Sequence, residues 1–268
     1  MGRRPSDILT AAKEQWGNLR ALPFKPVFVL LTATFIQLLA RFHTSRAAFR
    51  EMFFGSLGHH PDYQLYEHCF WLLGDFVLQF PLLLLLIRFV LKEPVTKYGL
   101  RPGRWKLGLK TSFILWMIML PVLWIVSADP AFQALHPAPD TAKADWMHLA
   151  IFQACSIVYL IGWEFVWRGY VLFGLEEHLG YFAVIIQMIP FALLHVGAPE
   201  MEAYAAIVAG LGLGMLAFAT RSFWYGVVAH ALVLGSMDLL GALRARTGTA
   251  GIGISDLVEL LSRTFQRF

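Results

Sequence analysis

Trp163-Glu164-Phe165-Val166-Trp167-Arg168-Gly169 sets a carboxylate and a guanidinium four residues apart in a run with no other formal charge between residues 146 and 175. Ionisable groups inside an apolar segment of membrane length are costly and rare. Two further segments repeat the theme downstream. Phe191-Ala192-Leu193-Leu194-His195 lies at the end of one apolar run, and Ala229-His230-Ala231-Leu232-Val233-Leu234 lies within another. The rest of the chain reads as a membrane frame around these groups.

Composition supports that frame. Of 268 residues, 57% are hydrophobic and only 15% charged, with a mean hydropathy of +0.58. A soluble domain holds about 45–50% apolar and about 25% charged residues. The net charge of +4 does not point to nucleic acid, because the cations gather in two segments beside apolar runs, as at cytoplasmic membrane flanks. Cys69 and Cys155 are too few and too apolar in setting for a disulfide framework or a metal knuckle.

Residues 1–26 form a basic N-terminal segment, without the h-region and cleavage site of a signal peptide. Apolar runs follow at 27–40, 63–91, 107–126, 146–180, 181–196, 203–220 and 223–243. These predict an all-α polytopic membrane protein with seven transmembrane helices, or eight, over residues 27–243. The tail 244–268 alternates Arg with Leu and Phe and is expected to lie on the membrane as an amphipathic helix. Residues 92–110 hold six Lys or Arg and the 127–145 loop holds one. Counting them places the N-terminus and the 92–110 connector inside and the 127–145 loop outside. Glu67, His68 and Asp75 in the second run read as structural or interfacial. Gly210, Gly212 and Gly214 are expected to allow close helix contact.

With Gly180 as a turn, Glu164 and His195 lie at nearly equal distances from it, about 23 Å along each helix. An antiparallel pair would then bring them to one depth. Arg168 shares a face with Glu164, and His230 reaches that depth only if its helix tilts. A carboxylate or imidazole can deprotonate water, and another His or Arg can stabilise a developing oxyanion. The same ligand types could hold zinc, although two His on separate helices and one Glu lack a compact motif. No cofactor is expected. A transporter would need polar residues along several helices, and the third and sixth runs supply almost none.

Glu164-x-x-x-Arg168, then Phe191-x-x-x-His195, then His230 in a late helix together resemble the CPBP family (CAAX protease and bacteriocin-processing, also called Abi) of intramembrane endopeptidases, which includes the Ras-converting CAAX prenyl proteases. The resemblance covers about residues 145–240, and the Lys97-Tyr98-Gly99-Leu100-Arg101 connector is also similar. It implies a helical-bundle hydrolase in the membrane, with the bacterial inner membrane as the expected location. Its implied partners are the lipid bilayer and a peptide or protein substrate, prenylated or leader-bearing. The family pattern begins Glu-Glu-x-x-x-Arg and ends His-x-x-x-Asn or Asp. Here Trp163 stands at the first Glu and Leu234 at the Asn.

Three readings follow. Glu164 can act as general base with His195, while Arg168 fixes Glu164 and His230 stabilises the oxyanion. Glu200, Glu202 or Asp238 can substitute for the missing acid. Or the chain is a non-catalytic relative that binds or stabilises a peptide or protein.

Overall fold

The computed structural model describes residues 5–265, with side chains described from Leu9 onward. The first four residues of the basic lead and the last three of the tail lie outside it. Among the described residues every named element is helical: α1 Pro5–Arg20, α2 Phe24–Leu39, α3 Arg46–Leu57, α4 Tyr63–Gln79, α5 Pro81–Leu85, α6 Trp105–Val126, α7 Pro130–Leu135, α8 Asp140–Ala144, α9 Trp146–Glu164, α10 Leu172–Leu179, α11 Phe182–Leu193, α12 Glu200–Thr220, α13 Trp224–Thr247 and α14 Ile254–Phe265. The all-α polytopic expectation holds.

Among the described residues, six helical stretches are long and apolar enough to cross a membrane: Phe24–Leu57, Tyr63–Val90, Trp105–Val126, Trp146–Leu179, Glu200–Thr220 and Trp224–Thr247. The expected count of seven is corrected by α11. Its run is apolar to Val196, but the helix stops at Leu193 and the chain turns through His195. Twelve residues reach only about 18 Å, against an apolar core of about 30 Å. The first span is longer than read, because a π-turn at Ala40–Thr44 and the Ser45 cap carry the chain on into α3. Ser45 Oγ accepts from the Ala48 backbone N–H at 3.2 Å and so satisfies one orphan donor of the new helix.

The polar residues of α4 tie it to that bent segment. Glu67 pairs with Arg50, His68 with Arg46, and Asp75 with Thr44 and Trp71. These three buried groups thus have partners, as burial demands, whereas the buried Gln79 amide of the same helix makes no hydrogen bond among the described residues. α11 lies against α12, and two of the three glycines expected to permit close approach do so. A Cβ at Gly210 would meet Met188 at 2.8 Å, and one at Gly214 would meet Gln187 at 2.5 Å; Gly212 faces open space.

The main apolar core is built around residues 160–175 and takes in Val29, Ile87, Tyr98, Phe191 and Phe223. One end of the bundle is closed by the 92–104 connector. Tyr98 stacks on Tyr170, the Arg104 N–H donates to Thr220 O, and Trp224 Nε1 donates to Leu100 O. The opposite end carries α7, α8, the 194–199 turn and α14. Asp145 caps α9 there by accepting from the His148 N–H at 2.8 Å.

Helix α14 keeps Leu260 buried, while Ile254, Leu257, Val258, Leu261 and Phe265 remain exposed. The tail begins later than expected, since α13 runs to Thr247.

Candidate functional site

Between α9 and α10 the helix widens into a π-turn over Phe165–Val171, and every residue of it is buried. Such insertions are frequent at functional sites. Glu164 precedes this one and Arg168 lies within it. Both side chains are fully buried, and Arg168 Nη1 donates to Glu164 Oε1 at 3.0 Å. The Arg168 guanidinium also lies 4.0 Å from the centroid of the Phe191 ring, a cation–π contact strengthened by exclusion of water.

The same Glu164 Oε1 receives His230 Nδ1 at 3.0 Å. A neutral His230 that donates to this oxygen does so from Nδ1. Its Nε2 then carries the lone pair. His195 is set up in a parallel way from a different element. Its Nδ1 donates to the Phe191 carbonyl at 2.8 Å, which again leaves Nε2 as an acceptor. Both imidazoles flank the Phe191 ring, His195 at 4.7 Å and His230 at 6.4 Å between centroids. Burial pushes the His195 imidazole below its ordinary range; nearby His230 and Arg168 push the same way, while the Phe191 carbonyl and Glu202 oppose them.

Glu164 therefore meets His230 directly. The equal-depth expectation had paired it with His195, which instead turns back onto its own helix end. The reason is geometric: α11 is short, and the first two turns of α13 pass directly beside Glu164. A Cβ on Gly226 would meet Glu164 Oε2 at 2.3 Å, so α13 approaches as closely as it does because residue 226 is glycine.

The other candidate acids separate. Glu200 is exposed and accepts from Tyr204. Asp238 is buried, with Gln153 donating to one oxygen at 2.5 Å and His136 Nδ1 at 3.2 Å from the other. Glu202 lies 3.7 Å from His136 Nε2. His136 and Gln153 were not singled out in the sequence. A histidine in a Pro-rich loop, about 100 residues from its partner, carries no local signal. At the two departures from the family pattern, Trp163 is buried and packs on Tyr159, Trp167, Phe191 and His195, and Leu234 packs against the main core.

Glu164 Oε2 and Arg168 Nε and Nη2 make no hydrogen bond among the described residues. Nor do three His, Cys, Asp or Glu side chains converge as a metal site among those residues. The arrangement offers a carboxylate bonded to a guanidinium, one imidazole oriented by that carboxylate, and a second imidazole across a shared aromatic ring.

Residues 145–234 match the family model described as Rce1-like, type II CAAX prenyl endopeptidase. The match takes in Glu164, Arg168, Phe191, His195 and His230 and bears out the resemblance read from the motifs. No curated protein and no solved structure matches the chain.

Proposed function

We propose, from the premise that residues 145–234 form an Rce1-like segment of the CAAX protease family, that this integral membrane protein is an endopeptidase. Its substrate would be a membrane-associated protein, prenylated or leader-bearing, and its location the bacterial inner membrane. The observation that supports this most is the hydrogen bond between half-buried His230 and buried Glu164. It is the orienting half of a hydrolytic dyad: the carboxylate fixes the tautomer and stabilises the imidazolium that forms.

In this reading His230 Nε2 takes a proton from water as the water oxygen bonds to the scissile carbonyl carbon. The carbonyl π-electrons move onto its oxygen. When the tetrahedral intermediate collapses, the C–N bond breaks and the imidazolium returns its proton to the leaving amine. His195 Nε2 accepts a hydrogen bond from the same water and orients it. Glu164 and Arg168 serve as the fixed ion pair behind His230, so the base role shifts from Glu164 to the imidazole that it holds. Dry surroundings strengthen each of these interactions.

The test is mass-spectrometric detection of cleavage of prenylated and leader-peptide probes by the purified full-length chain in proteoliposomes. Loss of cleavage in His230→Asn and His195→Asn is expected. Unchanged cleavage in both would overturn the assignment.

A second reading has its own observation. Trp163 and Leu234 place apolar surface where the family pattern has a carboxylate and an amide, which suits a non-catalytic relative that binds or stabilises a peptide. Capture of an intact photo-crosslinking peptide at Trp163, with no product from any probe, would favour it.

A further inference from the structure

The 127–145 segment is a folded cap rather than a loose loop. Phe132 enters a core cluster with Leu123 and Met237, and Ala142 enters another with Leu72 and Leu149. Lys143 O accepts from Arg246 Nε at 2.7 Å. The His136 backbone presses so close to α13 that a Cβ on Gly241 would meet its carbonyl oxygen at 1.8 Å. From this anchored position the His136 ring reaches between two helices, with Nδ1 on Asp238 of α13 and Nε2 toward Glu202 of α12. Gln153 of α9 closes the chain by donating to Asp238.

Glu202 belongs to the α12 face that packs on α11. Residues four and eight positions on, Ala206 and Gly210, lie on nearly the same face. Ala206 joins the core cluster of Phe191 and Trp163, and Gly210 sits against Phe191 and Met188. Phe191 is the ring against which His195 lies. Glu202 lies on that stripe two turns before Gly210, in the first turn of α12, which the 194–199 turn joins directly to His195.

We infer that His136, bridging Asp238 and Glu202, is a positioning residue that holds the Glu202 carboxylate beside His195. The cap then forms part of the site, and the carboxylate missing from residue 163 is supplied from the first turn of α12. The use of that carboxylate, to bias His195 during hydrolysis, rests on the proposed endopeptidase reading. The placement itself does not, and it can be measured without turnover.

The charged and titratable groups acting on His195 are His230, Glu202 and Arg168; those acting on His136 are Asp238 and Glu202. The experiment follows modification of His195 by diethyl pyrocarbonate against pH, by mass spectrometry of the full-length chain in detergent. In Glu202→Gln the apparent pKa of His195 should fall by roughly half a unit to one unit, because a nearby carboxylate favours the imidazolium. His136→Gln should give a similar fall, and the double variant no further one. Glu202→Asp, too short to reach both partners, should fall part of the way. An unmoved His195 in Glu202→Gln overturns the placement, and additive shifts in the double variant overturn the role of His136. If His136→Gln does not fold, Glu202→Gln and Glu202→Asp decide the placement. A chain that cleaves no probe but shows these shifts would sink the endopeptidase reading and leave this one standing.

Discussion

His230 places Nδ1 3.0 Å from Glu164 Oε1 across 66 residues of chain, and Arg168 donates to the same oxygen. One carboxylate therefore balances a buried cation and orients an imidazole. Removing it alone should cost more than removing it together with Arg168. Breaking a buried ion pair leaves an uncompensated charge, typically about 3–5 kcal/mol, whereas replacing both partners by apolar side chains is often close to neutral. Thermal unfolding in detergent should show Glu164→Ala strongly destabilised and Glu164→Met with Arg168→Met much nearer wild type. An equal loss in both would mean that the pair is not held as a buried ion pair.

Gly226 is the second control on that geometry. Gly226→Ala improves helix propensity by about 1 kcal/mol, yet its methyl would fall 2.3 Å from Glu164 Oε2. Overpacking of this kind costs about 1–3 kcal/mol and would push the carboxylate off His230. Probe cleavage should drop at least tenfold while the helical circular-dichroism spectrum stays unchanged. Full cleavage would show that Glu164 need not stay where it is.

Much of this frame was legible in the sequence because membrane spans are written in composition. Each apolar run became a helix, and Glu67, His68 and Asp75 found the structural partners expected of them. Three features were not legible. The end of α11 was hidden because Leu194 and Val196 are as apolar as the helix before them. The Glu164–His230 contact depends on a π-turn and on the close approach of α13 at Gly226, neither of which residue spacing records. His136 meets Asp238 only because α7 folds back over α13, a tertiary event with no local pattern.

His136 makes stability depend on pH in a defined direction. Burial works against its charge, but Asp238 and Glu202 outweigh it and push the imidazole from 6.5 up to about 9. A raised folded-state value stabilises fully below the unfolded value and is lost as pH rises through the folded one. The cap contact should therefore be at full strength near pH 6 and fade through about pH 9, with a contribution on the order of 3 kcal/mol at most. The gap in unfolding midpoint between wild type and His136→Gln, measured in detergent, should shrink from pH 6 to pH 10. A constant gap would mean that the imidazole is not charged in the folded chain.

Cys69 of α4 and Cys155 of α9 lie with their sulfurs 3.1 Å apart. A disulfide needs about 2.05 Å, a movement of about one ångström between two helices already packed together. Oxidation with copper phenanthroline should join them, read as a cross-linked peptide pair after digestion that disappears in Cys69→Ser. The bond would tie α4 to the helix that carries Glu164. Failure to cross-link in folded protein would place these helices farther apart than described.

Trp163 gives the sharpest test of how the site is completed. Its ring stands 6.3 Å from that of His195 and 5.9 Å from that of Phe191. Trp163→Glu should lower stability by about 3–5 kcal/mol through lost packing. It also sets a carboxylate against His195 in a water-poor setting, where the charge acts strongly. If Glu202 serves His195 from a distance, a nearer carboxylate should raise probe cleavage above wild type in the fraction that remains folded, and should make cleavage insensitive to Glu202→Gln. Lower cleavage by folded Trp163→Glu would identify the indole as a wall that the substrate needs. In that case the aromatic cluster of Tyr159, Trp163 and Trp167, rather than a carboxylate, is what this chain has placed beside His195.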